Sequence, residues 1–312
     1  MTKVEAGSAK KIAKAGAQKD PPAPPPELPS IFDHPRQLFT DIAKVPNLSA
    51  VEEADREVPV IIQQTSAVQD LVKTDTFTSK DVQFCKFYPL NTEFKNSGRV
   101  AAPMKPDDLR PDAVKALEAL VPASWGLAAT AATQVVGEEF TDADIKQFTD
   151  AAIVRQYAIA GDKKSLAYVE HQGLPQLRYQ YAGHRKFVAA QWTHVRDSLA
   201  AAGQPATSAT YLADKFSTLS AEQVKTMGAA GLPVYIGEQA VHTAAYIPPG
   251  YVICEAALNT QPVHGLRLSL IAPTAIADYA DYCTFLVETS GANHESAKQM
   301  VSLTKLMKKV EV

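Results

Sequence analysis

From Leu232 onward the hydrophobic pattern changes period, and this change restricts the fold more than any other feature of the chain. The runs Pro233 to Ile236, Val241 to Ile247, Tyr251 to Leu258 and Val263 to Ile271 are short and rich in β-branched or aromatic residues. They are separated by Gly237, by Pro248-Pro249-Gly250 and by Asn259-Thr260-Gln261-Pro262. Short runs bounded by turn residues specify strands, and together they predict an antiparallel meander, either a small sheet or a partial β-barrel. The last run alternates, with Leu266, Leu268 and Leu270 on one face and Gly265, Arg267 and Ser269 on the other. Pro249 supplies the fixed φ of a turn's second position and Gly250 the positive φ of its third. The runs on either side are therefore expected to pair as a hairpin, or at least to share one sheet.

Upstream the period is helical. Thr141 precedes Asp142 and Asp144, and Ile145, Phe148, Ala152 and Ile153 predict an amphipathic helix reaching about residue 160 and ended by Gly161. Between His184 and Ala201, the stripe Val188, Trp192, Val195, Leu199 predicts a second helix closed by Gly203. Ser220 with Gln223 forms a capping-box pattern ahead of Val224 and Met227. After the strands, Thr274 caps a helix through about Leu286, and Asn293 opens a final one bearing Ala297, Met300, Leu303 and Met307. Nearer the start, Ile31 to Val45 reads as helix-like, Val60 to Gln64 and Val82 to Tyr88 as strands, and Ser66 as the cap of a short helix.

The class expected is α+β: a helical region over about 105 to 230, then a small antiparallel sheet or partial β-barrel, then two C-terminal helices. Three segments are expected: an arm over 1–29, a mixed α/β segment over 30–104, and an α+β main domain over 105–312 with its sheet at 232–271. A chain of 312 residues needs no disulfide or metal to support its core. Cys85, Cys254 and Cys283 are odd in number and never spaced as C-x-x-C, which argues for a reducing compartment. No membrane-length apolar stretch and no apolar signal core occur, so the expectation is an intracellular protein, cytoplasmic or nuclear. The net charge of -3 gives no overall footprint for nucleic acid, which is not expected as a partner. The strip Arg178 to Arg196, with Tyr179, Tyr181, His184, Arg185, Lys186 and Trp192, has a composition that could stack single-stranded nucleic acid; a solvated helix face is the preferred reading.

The arm carries Lys3, Lys10, Lys11, Lys14 and Lys19 against Glu5 and Asp20, with almost no large side chain, and is expected to be disordered. Six prolines in the nine residues Pro21 to Pro29 then favour a stiff polyproline spacer, which also contains the PxxP pattern read by SH3- or WW-type domains. Removing residues 1–29 is expected to leave the melting temperature of the remaining chain unchanged. A fall of several degrees in a thermal melt would show that the arm docks on the body.

The common signatures of phosphate loops, dinucleotide folds, serine hydrolases and zincins are absent from the chain. The tract Tyr246-Ile247-Pro248-Pro249-Gly250-Tyr251-Val252-Ile253, running into Asn259 and then His264-Gly265-Leu266-Arg267-Leu268-Ser269, resembles the C-terminal half of cupin and JmjC-like double-stranded β-helix domains. In those families a P-x-G turn precedes a strand whose metal-binding histidine lies three residues after the glycine. That position is Ile253 here, and none of the seven histidines has a ligand-type residue two positions on, so the first metal motif is missing as well. An iron site would need an improvised set from Glu238, His242 and His264, of which the first two would share a face if they sat on one strand. Arg267 would hold a carboxylate ligand if it faced a barrel interior, and would sit in solvent otherwise. What the resemblance and the missing ligands imply together is a non-catalytic binding or interaction protein on a degenerate cupin-like domain, with no cofactor and a protein partner. The alternative is a metal-dependent oxygenase of the non-haem iron type, using iron or another divalent metal on non-standard ligands.

Overall fold

The structure, a computed structural model, describes residues 30–50, 57–71, 99–103, 116–117, 119–122, 126–127, 141, 155–159, 167–169, 173–260, 263–271 and 276–290. The strands are β1 (Thr40–Asp41), β2 (Ala43–Val45), β3 (Val60–Ile62), β4 (Arg99–Pro103), β5 (Gly126–Leu127), β6 (Arg155–Ile159) and β7 (Tyr168–Val169). They continue with β8 (Gln176–Ala182), β9 (Arg185–Gln191), β10 (Tyr235–Gln239), β11 (Thr243–Ile247), β12 (Tyr251–Ala257) and β13 (Val263–Ile271). The helices are α1 (Ser66–Leu71), α2 (Trp192–Ala201), α3 (Ala209–Ser217), α4 (Ala221–Ala229) and α5 (Ile276–Ser290). The class is α+β.

Two sheets carry the fold. One is ordered β1-β10-β9-β12-β7 and the other β2-β3-β11-β8-β13-β6-β4, with β5 also pairing β13. Taken in chain order, β6, β8, β11 and β13 lie in the second sheet, whereas β7, β9, β10 and β12 lie in the first. Every pairing among these eight strands is antiparallel. Order, alternation and direction together are the connectivity of an eight-stranded jelly roll. Strands from earlier in the chain extend its edges: β1 pairs β10 in parallel, β3 pairs β11 and β4 pairs β6, both antiparallel.

This wiring corrects the meander. The four runs after Leu232 are strands, and Val263–Ile271 has the expected ends, but they are not sequential neighbours. β11 pairs with β3 and β8, and β12 with β7 and β9, so Pro248-Pro249-Gly250 passes the chain from one sheet to the other and closes no hairpin. Gly250 does take the expected positive φ, at 68°. Neither the expected hairpin nor a shared sheet exists; sending neighbouring strands to opposite sheets is how a jelly roll is wound.

The helical region is corrected too. Residues 155–159 form strand β6, and the part of that expected helix before them lies outside the described residues apart from Thr141. The second expected helix begins only at Trp192; residues 185–191 are strand β9. Ile31 to Val45 forms two short 3-10 turns followed by β1 and β2. The Ser220 capping box is present, with Gln223 N–H donating to Ser220 Oγ at 3.2 Å and Ser220 N–H to Gln223 Oε1 at 2.8 Å. The arm, the strand expected at 82–88 and the helix expected from Asn293 lie outside the described residues.

Both sheets are covered on their outer faces. Val188, Ala190, Ile236, Val252 and Cys254 of the first sheet pack on α2 to α5 through Trp192, Val195, Leu199, Leu212, Phe216 and Phe285. Leu177, Tyr179, Tyr246, Leu266, Leu268 and Leu270 of the second pack on Leu48, Val68, Leu117 and Leu120. Between the sheets, one end is apolar, with Ile42, Ile61, Phe187, Ala189, Ala245, Ile247, Tyr251 and Ile253. The other end is polar.

Candidate functional site

Alternation along each strand decides what enters the space between the sheets. On β8, Leu177 and Tyr179 face outward, so Gln176, Arg178 and Gln180 face inward; on β12, Tyr251, Ile253 and Glu255 share the inner face. The inward residues of β8, β9, β10 and β12 meet as a buried ionic cluster. Glu255 is fully buried and accepts from Arg178 Nη1 at 2.7 Å and from Arg185 Nη1. Arg185 also donates through Nε to Gln239 Oε1 at 2.8 Å, and its guanidinium lies 4.9 Å from the Phe187 ring centroid and 5.3 Å from that of Tyr157. The Gln239 amide donates to the carbonyls of Arg178 at 2.9 Å and Thr243 at 2.8 Å, and the Gln180 amide donates to those of Gly183 and Gln239. A Cβ at residue 265 would fall 2.5 Å from the Tyr157 ring, so Gly265 is what lets that ring lie against β13.

The residues singled out from the sequence do not converge. Glu238 is on the outer face of β10, exposed, with Arg36 Nη1 donating to it at 2.8 Å in an ion pair that also engages Asp41. His242 is not on that strand: β10 ends at Gln239, and His242 sits in the turn before β11 at φ 59°. Its ring Nδ1 lies 3.0 Å from the Tyr179 hydroxyl, and its carbonyl accepts from Thr65 Oγ1 at 2.5 Å. His264 is the second residue of β13, is 5% exposed and stacks on Tyr181 with ring centroids 6.2 Å apart. Among the described residues no group of three His, Cys, Asp or Glu side chains is placed to hold a metal. Ile253, at the resembled families' histidine position, is buried in the apolar end of the interior.

Arg267 is 7% exposed and lies opposite Arg178 in the ladder, on the face away from Leu266 and Leu268, so it is an interior residue and not a solvated one. The same correction applies to Arg178 and Arg185, which are buried on strands and not spread along a helix face. Gln180, Gln239 and Glu255 were not among the sequence candidates, and Arg178 and Arg185 entered only through the strip preferred as a solvated helix face. A glutamate inside the apolar run Tyr251 to Leu258, in phase with Tyr251 and Ile253, was the available signal.

Burial holds the His264 imidazole down at a pKa of about 4. Its folded-state pKa lies below the ordinary 6.5, so folding favours the neutral ring: the contribution is intact above about pH 6.5 and is lost as pH falls toward 4. A shift of this size corresponds to on the order of 3 kcal/mol. Urea titrations at pH 7 and pH 4.5 are expected to show this loss in the native chain and a much smaller one in His264→Phe. Asp278, whose carboxyl burial raises, acts in the opposite sense, so the comparison between chains carries the result.

Fold and site together define a jelly-roll protein in which, among the described residues, apolar and ionic side chains meet between the two sheets. No known protein-family profile matches the chain, and no curated protein matches it. Among the described residues no helix is long and apolar enough to cross a membrane.

Proposed function

We propose that the protein works by binding a protein partner and not by catalysis, as a jelly roll that has given its interior to its own cohesion and presents its outer surface and arm to the partner. The observation that supports this reading is the buried cluster between the sheets. Where a cupin-type enzyme keeps a cavity and a metal, this chain places Ile253, Arg178, Arg185 and Glu255. Among the described residues, a buried network joining four strands fixes one geometry and puts the protein's own side chains at the polar end of the interior. The degenerate cupin-like relationship belongs to the same proposal, supported by the strand connectivity and the Pro248-Pro249-Gly250 turn. An intracellular location and an SH3- or WW-type reader of Pro21 to Pro29 are part of it as well.

Elemental analysis of the purified protein tests the reading directly. Iron, manganese and zinc are expected well below one equivalent per chain. A stoichiometric metal that is lost on changing His242 or His264 to Ala would overturn this reading in favour of the metal-dependent alternative.

A further inference from the structure

We propose that residues 30–46 are an exchangeable strap, and that the partner is a second copy of this chain, which takes up this strap in place of its own. This deepens the binding reading above and rests on it. One extended stretch serves both sheets. β1 stands at the end of the first sheet, beyond β10, and β2 at the end of the second, beyond β3. Both pairings are parallel, the weaker ladder per residue, and they span only two and three residues. Thr40 N–H donates to the Val234 carbonyl, Ile42 N–H to that of Ile236, and Gln63 N–H to that of Val45, each at 2.9 Å.

Side chains fasten the strap at two points. From residue 30 to residue 46 only Ile31 and Ile42 are buried, and Thr40, Asp41, Ala43 and Lys44 are exposed. Ile31 enters the helical core and Ile42 the apolar end of the space between the sheets. The seat of Ile42 is Gly237: a Cβ there would fall 2.9 Å from Ile42 Cδ1 and 3.2 Å from Ile42 Cβ, so glycine is what admits this knob. The ion pairs of Arg36 with Asp41 and Glu238 are solvent-exposed and add little. Beyond Pro46 the chain is anchored again by Leu48, which is fully buried in the core outside the second sheet. A segment held by two short ladders and two knobs opens at lower free energy than strands buried on both faces. Once open, it bares the edges of β10 and β3 and the seat at Gly237, and the same segment of another copy matches all three. Exchange remakes every strap contact, so only the hinge at Pro46 differs between monomer and dimer.

Cysteine pairing in the full chain tests this. The Ile42–Gly237 approach is close to the Cβ separation of bridged cysteines, about 3.5–4.5 Å. Ile42→Cys and Gly237→Cys chains, incubated together at high concentration and then oxidised, are expected to give a disulfide-linked dimer at least tenfold above either variant alone, with the bond between positions 42 and 237. The double variant Ile42→Cys/Gly237→Cys, oxidised when dilute, should close the same bond within one chain. Closure within the chain but none between mixed chains would overturn the exchange, and no closure in either would overturn the seat itself. In the native chain, hydrogen exchange at the Thr40, Ile42 and Gln63 amides is expected at least tenfold faster than in β8 and β13; equal protection would show that the strap does not open by itself and would also overturn the proposal. None of these results bears on metal content, so this proposal and the binding reading fail by different measurements.

Discussion

Changing Glu255 to Gln is expected to destabilise the protein by about 3–5 kcal/mol, the range found when one partner of a buried ion pair is removed. The side chain is the same size, so packing is not what changes. What changes is that Arg178 and Arg185, 1% and 0% exposed, are left facing each other between the sheets without the carboxylate both donate to. Two cations in that space repel and cannot reach water, and neither guanidinium can shed its proton. Arg185 keeps Gln239 Oε1 and the ring faces of Tyr157 and Phe187, so the loss falls on the bonds that both guanidiniums make to the carboxylate. Urea unfolding measures the cost. If the single change lowers stability too far for the chain to fold, the combined variant Glu255→Leu/Arg178→Met/Arg185→Met carries the test. Removing all three charges should recover most of the loss, because buried ion clusters replaced whole by apolar side chains are often neutral or better. A cost under about 1 kcal/mol for Glu255→Gln would mean that water enters the cluster, and the binding reading would lose its support.

That cluster marks the limit of what the sequence discloses. Local signals were legible where one short segment decides the outcome: the Ser220 capping box, the alternation of Val263–Ile271, and the positive φ of Gly250. The wiring was not, because β8 pairs with β11 and β13, some 65 and 90 residues further along the chain, and nothing in a single run states its partner. β8 and β9 were hidden for a further reason. Both are buried on two faces, so their apolar residues show no simple alternation between core and solvent. Val188 fell in phase with Trp192, Val195 and Leu199 and read as a helix stripe, although it lies on β9. All four reach the same core, from a strand on one side of residue 192 and a helix on the other. For Arg267 the sequence gives the face but leaves the environment open between interior and solvent, since its burial depends on the opposite sheet. The same long-range dependence hid the Arg178–Glu255–Arg185 contact: each residue's face follows from its own strand, but their meeting follows from the jelly roll.

Replacing Gly250 by Val is the second large expected effect, about 3–5 kcal/mol, and it joins two physical causes. Gly250 has φ 68°, where a branched residue is strained by roughly 1–3 kcal/mol. It is also tightly enclosed. A Cβ there would lie 2.7 Å from Trp192 Cδ1 and 3.0 Å from Gln191 Oε1. Trp192 cannot retreat easily, because it stacks on Phe285 at 4.7 Å between ring centroids and meets Tyr282 edge-on at 5.5 Å. The backbone is pinned as well: Gly250 N–H donates to the Gly173 carbonyl and Trp192 N–H to the Gly250 carbonyl, both at 2.9 Å. The turn thus ties the sheet crossover to the start of α2, and a side chain there must push α2 from its strand or break one of these bonds. Gly203 supplies the control. Its φ is 72°, nearly the same, but nothing lies within 4 Å of where its Cβ would be. Gly203→Val should therefore cost the backbone strain alone, and the difference between the two variants in urea unfolding reads the Trp192 contact, about 1–3 kcal/mol. Equal costs would show that α2 and the crossover are not packed as described, and the anchoring of the helical layer on the first sheet would have to be redrawn.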